Sequence, residues 1–196
     1  MSLCSPVELT SQHARLVPLS IEHLAGLQDA CRDGDLWKIW YTRVAGPDEM
    51  AAEIERRLEL QAKASMLPFT VQDGSGRIVG MTSFMNIDNV NRRVEIGSTW
   101  IAPSAQRGPL NTECKLMLLG HAFDQLDCIA VELRTHRLNL QSRRAIERLG
   151  AQLDGILRAH QLGPEGTLRD TAVYSITAPE WPTVRTHLKW QLEKPR

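Results

Sequence analysis

Ile101-Ala-Pro-Ser-Ala-Gln-Arg-Gly-Pro-Leu-Asn-Thr-Glu113 is the stretch on which the reading of this chain turns. Before it, Arg92 to Ile101 reads as a strand. After it, Leu116, Leu119, Phe123 and Leu126 recur at helical spacing. The junction between them is a loop holding Gln106, Arg107 and Gly108, and a helix opens near Asn111. A helix start behind a glycine loop offers free N–H groups and the positive end of the helix dipole to an anion. Arg107 adds a full charge. The same residues also suit an ordinary loop whose helix is capped by Asn111 or Thr112.

Upstream, Ala14 to Leu19 reads as a short strand ending at a proline, after which Ser20 can cap a helix carrying Ile21, Leu24 and Leu27. Gly34 reads as its stop. A second helix opens at Pro47-Asp48-Glu49, where proline loses no useful hydrogen bond and the acids suit the positive helix end. Phe69 to Gln72, the turn Asp73-Gly74-Ser75-Gly76, Arg77 to Phe84 and Arg92 to Ile101 make an antiparallel meander. Downstream of the junction helix come a strand at Ile129 to Thr135 and a short helix from Ser142 to Leu149 closed by Gly150. A hairpin across Gly163-Pro164-Glu165-Gly166 and a last helix from Pro179-Glu180-Trp181 complete the chain. The order β-α-α-β-β-β-α-β-α-β-β-α implies an α/β (α+β) fold. Its sheet is mixed and mostly antiparallel, with helices on both faces. One domain over residues 1–196 is expected, with a core from about 14 to 188.

The 196 residues carry 23 Lys+Arg against 23 Asp+Glu, a net charge of zero, so no bulk positive field serves non-specific nucleic-acid binding. No apolar run approaches the roughly 20 residues of a membrane-spanning helix. Cys4, Cys31, Cys114 and Cys128 fall in no metal-like spacing and read as reduced thiols of a cytoplasmic protein.

Several blocks then fall in one order along the chain: Glu95-Ile-Gly-Ser-Thr-Trp100, Asn111-Thr-Glu-Cys-Lys-Leu116, Asn139-Leu-Gln-Ser-Arg-Arg-Ala-Ile146 ending at Leu149-Gly-Ala151, Leu157-Arg-Ala-His160, Arg169-Asp-Thr171 and Trp181-Pro182. From Ala14 to Leu188 the chain resembles the GCN5-related N-acetyltransferases (GNAT), in the branch of ribosomal-protein N-terminal alanine/serine acetyltransferases. That superfamily binds acetyl-CoA on a [QR]-x-x-G-x-[GA] loop. The matching positions here are Gln106, Pro109 and Asn111, so two of the three depart from the pattern, and Pro109 removes one backbone donor.

The resemblance implies acetyl-CoA as donor, contacted by Gln106, Arg107, Gly108, Pro109, Leu110, Asn111, Thr112, Asn139 and Arg143. It implies transfer to a primary amine, either a protein N-terminus or a small molecule, by direct attack in a ternary complex. Such transfer needs a base for the ammonium, oxyanion stabilisation and a proton for the leaving thiolate. Glu95 is the candidate base, acting through a water, and Ser142 the candidate acid. The tyrosine acid of many relatives is replaced by Ile146. Serine before a helix is also an N-cap by default, and both roles can coexist. Trp37, Trp40, Tyr41, Trp100 and His160 are candidates for the acceptor groove, with core packing as the alternative for the aromatics. No metal, nucleic acid or membrane is expected, and a homodimer is the candidate assembly. A non-catalytic acyl-CoA-binding or partner-docking module on the same fold is the alternative function.

Overall fold

The structure, a computed structural model, describes residues 3–163 and 166–194. Eight strands form one sheet: β1 (Leu9–Thr10), β2 (Ala14–Pro18), β3 (Met66–Asp73), β4 (Ile78–Asp88), β5 (Arg93–Ile101), β6 (Ala130–His136), β7 (Gln152–Leu162) and β8 (Leu168–Thr177). Their order across the sheet is β1-β2-β3-β4-β5-β6-β8-β7, antiparallel everywhere except β5–β6. The helices are α1 (Leu24–Arg32), α2 (Met50–Ala62), α3 (Leu110–Gly120), α4 (Leu140–Glu147) and α5 (Trp181–Glu193). The predicted order holds, with β1 as an addition. The turn residues 164–165 of the predicted last hairpin lie outside the described residues.

Two apolar clusters sandwich the sheet. Leu27, Cys31, Met50 and Ile54 of α1 and α2 pack with Met81 and Trp100 on one face. Leu110, Leu118 and Leu119 of α3, with Trp181, Val184 and Leu188 of α5, pack with Phe69, Phe84, Val94 and Ile96 on the other. In β5 the facing rule changes partway: Val94 and Ile96 face the α3 side, yet so does Ile101, while Trp100 faces α1 and α2. A β-bulge is the cause. Met81 pairs with Trp100 and Ser83 with Gly97, so Ser98 and Thr99 together oppose Thr82. One extra residue flips every side chain beyond it to the other face. Ser98 takes the strain with φ +48°.

The bulge is clamped from both sides. Arg57 of α2, buried, donates from its guanidinium to the Ser98 carbonyl at 3.3 Å and the Ser83 hydroxyl at 3.1 Å, and pairs with Glu53 at 2.7 Å. Lys115 of α3, also buried, donates to the Thr99 hydroxyl at 3.2 Å, and Thr99 shares a 2.7 Å bond with Thr82. Burial pushes the Lys115 ammonium down to about 8.

Two other residues of the same block are structural. Thr112 accepts from Arg148, tying α3 to the end of α4. Glu113 accepts from the Ser11 hydroxyl and the His13 N–H (2.7 Å) and pairs with His13 Nδ1 at 2.6 Å, pinning α3 to the β1–β2 turn. Burial raises the Glu113 carboxyl, but the bonds from Ser11 and His13 outweigh it and hold it below the ordinary value. A depressed carboxyl stabilises above its unfolded pKa, about 4.3, and loses that contribution as pH falls through the folded value. Glu113→Gln is therefore expected to melt below the parent at pH 7, with the gap closing as pH drops below about 4. Melting curves across that range check it.

Candidate active site

The parallel pairing of β5 with β6 lasts three residues: Arg93 with Ala130, Val94 with Val131, Glu95 with Glu132. Beyond Glu95 the two strands part. The main-chain edges of Ile96 to Ser98 and of Leu133 to Thr135 then face a cleft of about 350 Å³ rather than each other. Unpaired edges of this kind hold an extended, amide-bearing chain by strand-like hydrogen bonds.

Glu95 sits at the point of divergence, buried in the cleft wall. Its Oε2 accepts from Asn86 at 2.7 Å and lies 3.5 Å from Arg134 Nε. Its Oε1 lies over Gly97, where an added Cβ would stand 2.7 Å from it. Burial raises the Glu95 carboxyl above the ordinary range, and neighbouring Glu132 adds to this. Asn86, Arg134 and Arg169 pull the other way without cancelling it. A carboxyl poised upward toward neutrality, in a cleft, fits a general base.

Ser142 lines the same cleft, but not as a cap. Asn139 caps α4: its Oδ1 accepts the Ser142 N–H at 3.0 Å. The expected capping role of Ser142 is thus corrected. Asn139 stands three residues earlier, the spacing at which a side chain reaches the N3 N–H, and it takes the bond. The Ser142 hydroxyl makes no hydrogen bond with the described residues, and the Asn139 amide nitrogen is likewise uncommitted while lining the cleft. Asn139→Ala is expected to cost about 1 kcal/mol of stability through the lost cap, read by urea denaturation. Asn139→Asp, which keeps an oxygen for the Ser142 N–H, should retain most of it. Ile146, at the place of the family tyrosine, is a buried part of the wall. Tyr174 does not replace it: its hydroxyl donates to Glu147 at 2.7 Å and accepts from Arg143 at 2.8 Å, and Tyr174 is not among the residues of the cleft wall.

At the junction loop, α3 begins at Leu110 with Pro109 as its N-terminal flank and no side-chain cap, so neither Asn111 nor Thr112 caps it. The backbone N–H groups of Arg107, Gly108, Leu110, Asn111 and Thr112 make no hydrogen bond within the described residues; the first internal bond is Glu113 N–H to the Pro109 carbonyl, 3.0 Å. Arg107 has φ +60° and is exposed. An added Cβ on Gly108 would meet nothing within 4 Å. Pro109 removes one donor from a set that keeps the others, so a pyrophosphate fits this helix start. Of these residues only Asn111 lines the cleft. Leu110 contributes its N–H while its side chain is core. Gln106 is spent on its own loop, donating to the Ile101 carbonyl at 2.7 Å. Arg143 is engaged with Tyr174 and the Arg137 carbonyl, binding α4 to β8.

Of the aromatic candidates, Tyr41 lines both the cleft and an adjoining cavity of about 820 Å³, which Trp37 and Trp40 also line. Trp100 lines the cleft and packs in the α1–α2 core. His160 stands in a β7 irregularity between Leu157 and Gln161, exposed, with Nδ1 3.1 Å from the Thr171 hydroxyl. His136, Asn86, Arg134 and Arg57 went unread in the sequence. His136 meets Trp40 and Tyr41 edge to face or tilted, with ring centroids 5.3 and 6.3 Å away. Arg57 left a signal: it stands on the apolar stripe of Met50 and Ile54, where a charge is out of place unless paired.

A family model described as an acetyltransferase (GNAT) domain matches residues 13–152. This chain therefore belongs to the GNAT N-acetyltransferase family. It is 35% identical, over 107 residues, to YdaF of Bacillus subtilis (strain 168), whose name places it among ribosomal N-acetyltransferases. That match covers 54% of this chain and spans little more than half, 57%, of the relative. A GCN5-related N-acetyltransferase from Brucella melitensis superposes with a TM-score of 0.85 at 29% identity, covering 96% of this chain and 86% of that one. Mycobacterium smegmatis RimJ, in complex with CoA-disulfide, shares the fold with a TM-score of 0.83 at 20% identity, covering 97% of each chain.

Proposed function

We propose that this chain is an acetyl-CoA-dependent N-acetyltransferase acting on a primary amine, of the kind a protein N-terminus presents, by direct attack in a ternary complex. The observation that carries the reading is the meeting, in one cleft, of two parted strand edges, a buried carboxylate and an uncommitted hydroxyl. The name of YdaF, a ribosomal N-acetyltransferase, favours a protein amine such as an N-terminus as acceptor.

Bound acetyl-CoA would supply the activated acetyl thioester. The N–H groups of Arg107, Gly108 and Leu110 to Thr112 would hold its pyrophosphate. The edges of β5 and β6, with the Asn139 amide, would hold its pantetheine arm. Glu95 takes the proton of the incoming ammonium, through a water. A terminal α-amine ordinarily titrates at about 7.7–8.0, so a modest base suffices. Ser142 supplies a proton at the sulfur side. Tyr41, Trp37, Trp40 and His136 offer ring faces and edges to the amine-bearing segment. Among the described residues no helix is long and apolar enough to cross a membrane.

Incubation with labelled acetyl-CoA and a panel of peptides, polyamines, aminoglycosides and amino acids tests the proposal. Label is expected on the α-amine of at least one peptide. Acetyl-CoA binding without transfer to any amine would instead establish the non-catalytic acyl-CoA-binding module.

A further inference from the structure

Among the described residues five cations line the two connected cavities; two of them are paired with carboxylates and a third is tied to the β5 bulge. Lys38 pairs with Asp35 at 2.7 Å, Arg134 with Glu132 at 2.6 Å, and Lys115 donates to Thr99. Arg43 and Arg169 are different. Both line both cavities, and neither has a carboxylate within ion-pair distance among the described residues. Arg43 is exposed and carries no protein hydrogen bond among the described residues. Arg169 is half-buried, and among the described residues the one hydrogen bond of its guanidinium is the 3.3 Å donation to the Thr171 hydroxyl.

The acid beside Arg169 in sequence does not answer it. Asp170 is held by Arg137 at 3.2 Å and Arg158 at 2.9 Å. Glu95 reaches Arg169 only through its field, without contact. Among the described residues the remaining acid on these walls is Glu49, exposed at the outer cavity. A half-buried guanidinium without a counter-ion is costly, and a planar carboxylate answers it with paired, charge-assisted bonds.

We infer that the acceptor is an amine carrying a carboxylate close to its amino group, and that Arg43 and Arg169 hold that carboxylate where the two cavities join. The inference rests on the acetyltransferase reading and narrows its substrate class. It also explains how an amine enters a cleft walled by arginines. The nearby positive charge disfavours the ammonium and so favours the neutral nucleophile. The acceptor's own carboxylate offsets the repulsion on entry.

The test uses three C-terminally amidated peptides that begin with alanine and differ only at the second residue: Asp, Asn or Lys. Free alanine is the fourth acceptor. Rates are measured with acetyl-CoA, and peptide binding to the CoA-saturated protein is measured by calorimetry. The Asp peptide is expected to show a KM and a Kd about tenfold below the Asn peptide, with the Lys peptide weakest. In Arg43→Gln/Arg169→Gln the gap is expected to shrink to about twofold. Arg43→Gln alone, at an exposed position, should lose part of the gap with the fold intact. Preference for free alanine over the Asp peptide would place the carboxylate on the α-carbon and keep the assignment.

Equal constants for the Asp and Asn peptides, with free alanine no better than either, overturn the inference, and so does a gap that survives in the double variant. Turnover without preference for the Asp peptide or free alanine leaves the transferase reading standing and removes this one. Asp-selective binding without turnover on any acceptor overturns both, leaving only a carboxylate-binding site. Neither binding nor turnover on any acceptor overturns both.

Discussion

Glu95→Gln is expected to lower kcat by about 10²–10⁴-fold, the range for loss of a positioned general base, while acetyl-CoA still binds. The substitution keeps shape and keeps an oxygen for Asn86, so the wall of the cleft is preserved. The ability to take a proton is removed, together with the 3.5 Å ion contact to Arg134. Because burial holds this carboxyl above the ordinary range, kcat/KM of the parent should climb with pH through a value above that range, and the variant should lack that limb. Stability runs the opposite way. A carboxyl with a raised folded pKa contributes fully below its unfolded value, about 4.3, and loses that contribution as pH rises through the folded one. Glu95→Gln should therefore melt above the parent at pH 7 and level with it in acid. A variant that is unchanged in rate would mean that Glu95 serves only to hold Asn86 and Arg134.

Arg57→Leu carries the largest expected cost in stability, about 1–3 kcal/mol, the usual penalty for leaving buried acceptors without a donor; half-buried Glu53 keeps its 2.7 Å pair with Arg56. The guanidinium holds the Ser98 carbonyl, the Ser83 hydroxyl and Glu53 together in the interior. Without it, the carbonyl that the bulge turns inward has no donor, and an unmet buried acceptor pays its desolvation penalty in full. The bulge lies three residues from Glu95 and lines the cleft, so acetyl-CoA affinity should fall along with the urea midpoint. Arg57→Lys keeps the charge but loses the planar fork, and should fall between the parent and Arg57→Leu.

Periodicity makes most of the fold legible in the sequence. The meander from Phe69 to Ile101 alternates and is punctuated by Asp73-Gly74-Ser75-Gly76, so its strands stand out. The crossover shows in the switch to helical spacing after Pro103. What escapes has local causes. The strand β1 is two residues long and has no period to show. The start of β3 lies before Pro68, a residue that reads as a break yet here pairs opposite Ser83. Ser142 reads as the cap of α4 because serine is a strong capper, but Asn139 takes the N–H.

The site divides along the same line. Glu95, Asn111, Asn139, Ser142, Tyr41, Trp100 and His160 all line the cleft, and all but Tyr41 fall within a block of family-like sequence. Asn86, Arg134 and His136 do not, because their proximity depends on strand register and on the divergence of β5 from β6, which no single segment encodes. Arg107, Gly108 and Leu110 matter through their N–H groups. A backbone donor leaves a sequence trace only where proline deletes it, as at Pro109.

The central claim is that the parted strands and the helix start hold acetyl-CoA, and calorimetric titration tests it most directly. Saturable binding of acetyl-CoA and CoA, clearly tighter than ADP, is the predicted result. No heat of binding at millimolar acetyl-CoA would contradict it and would mean that Pro109 and Asn111 have closed the helix start to pyrophosphate.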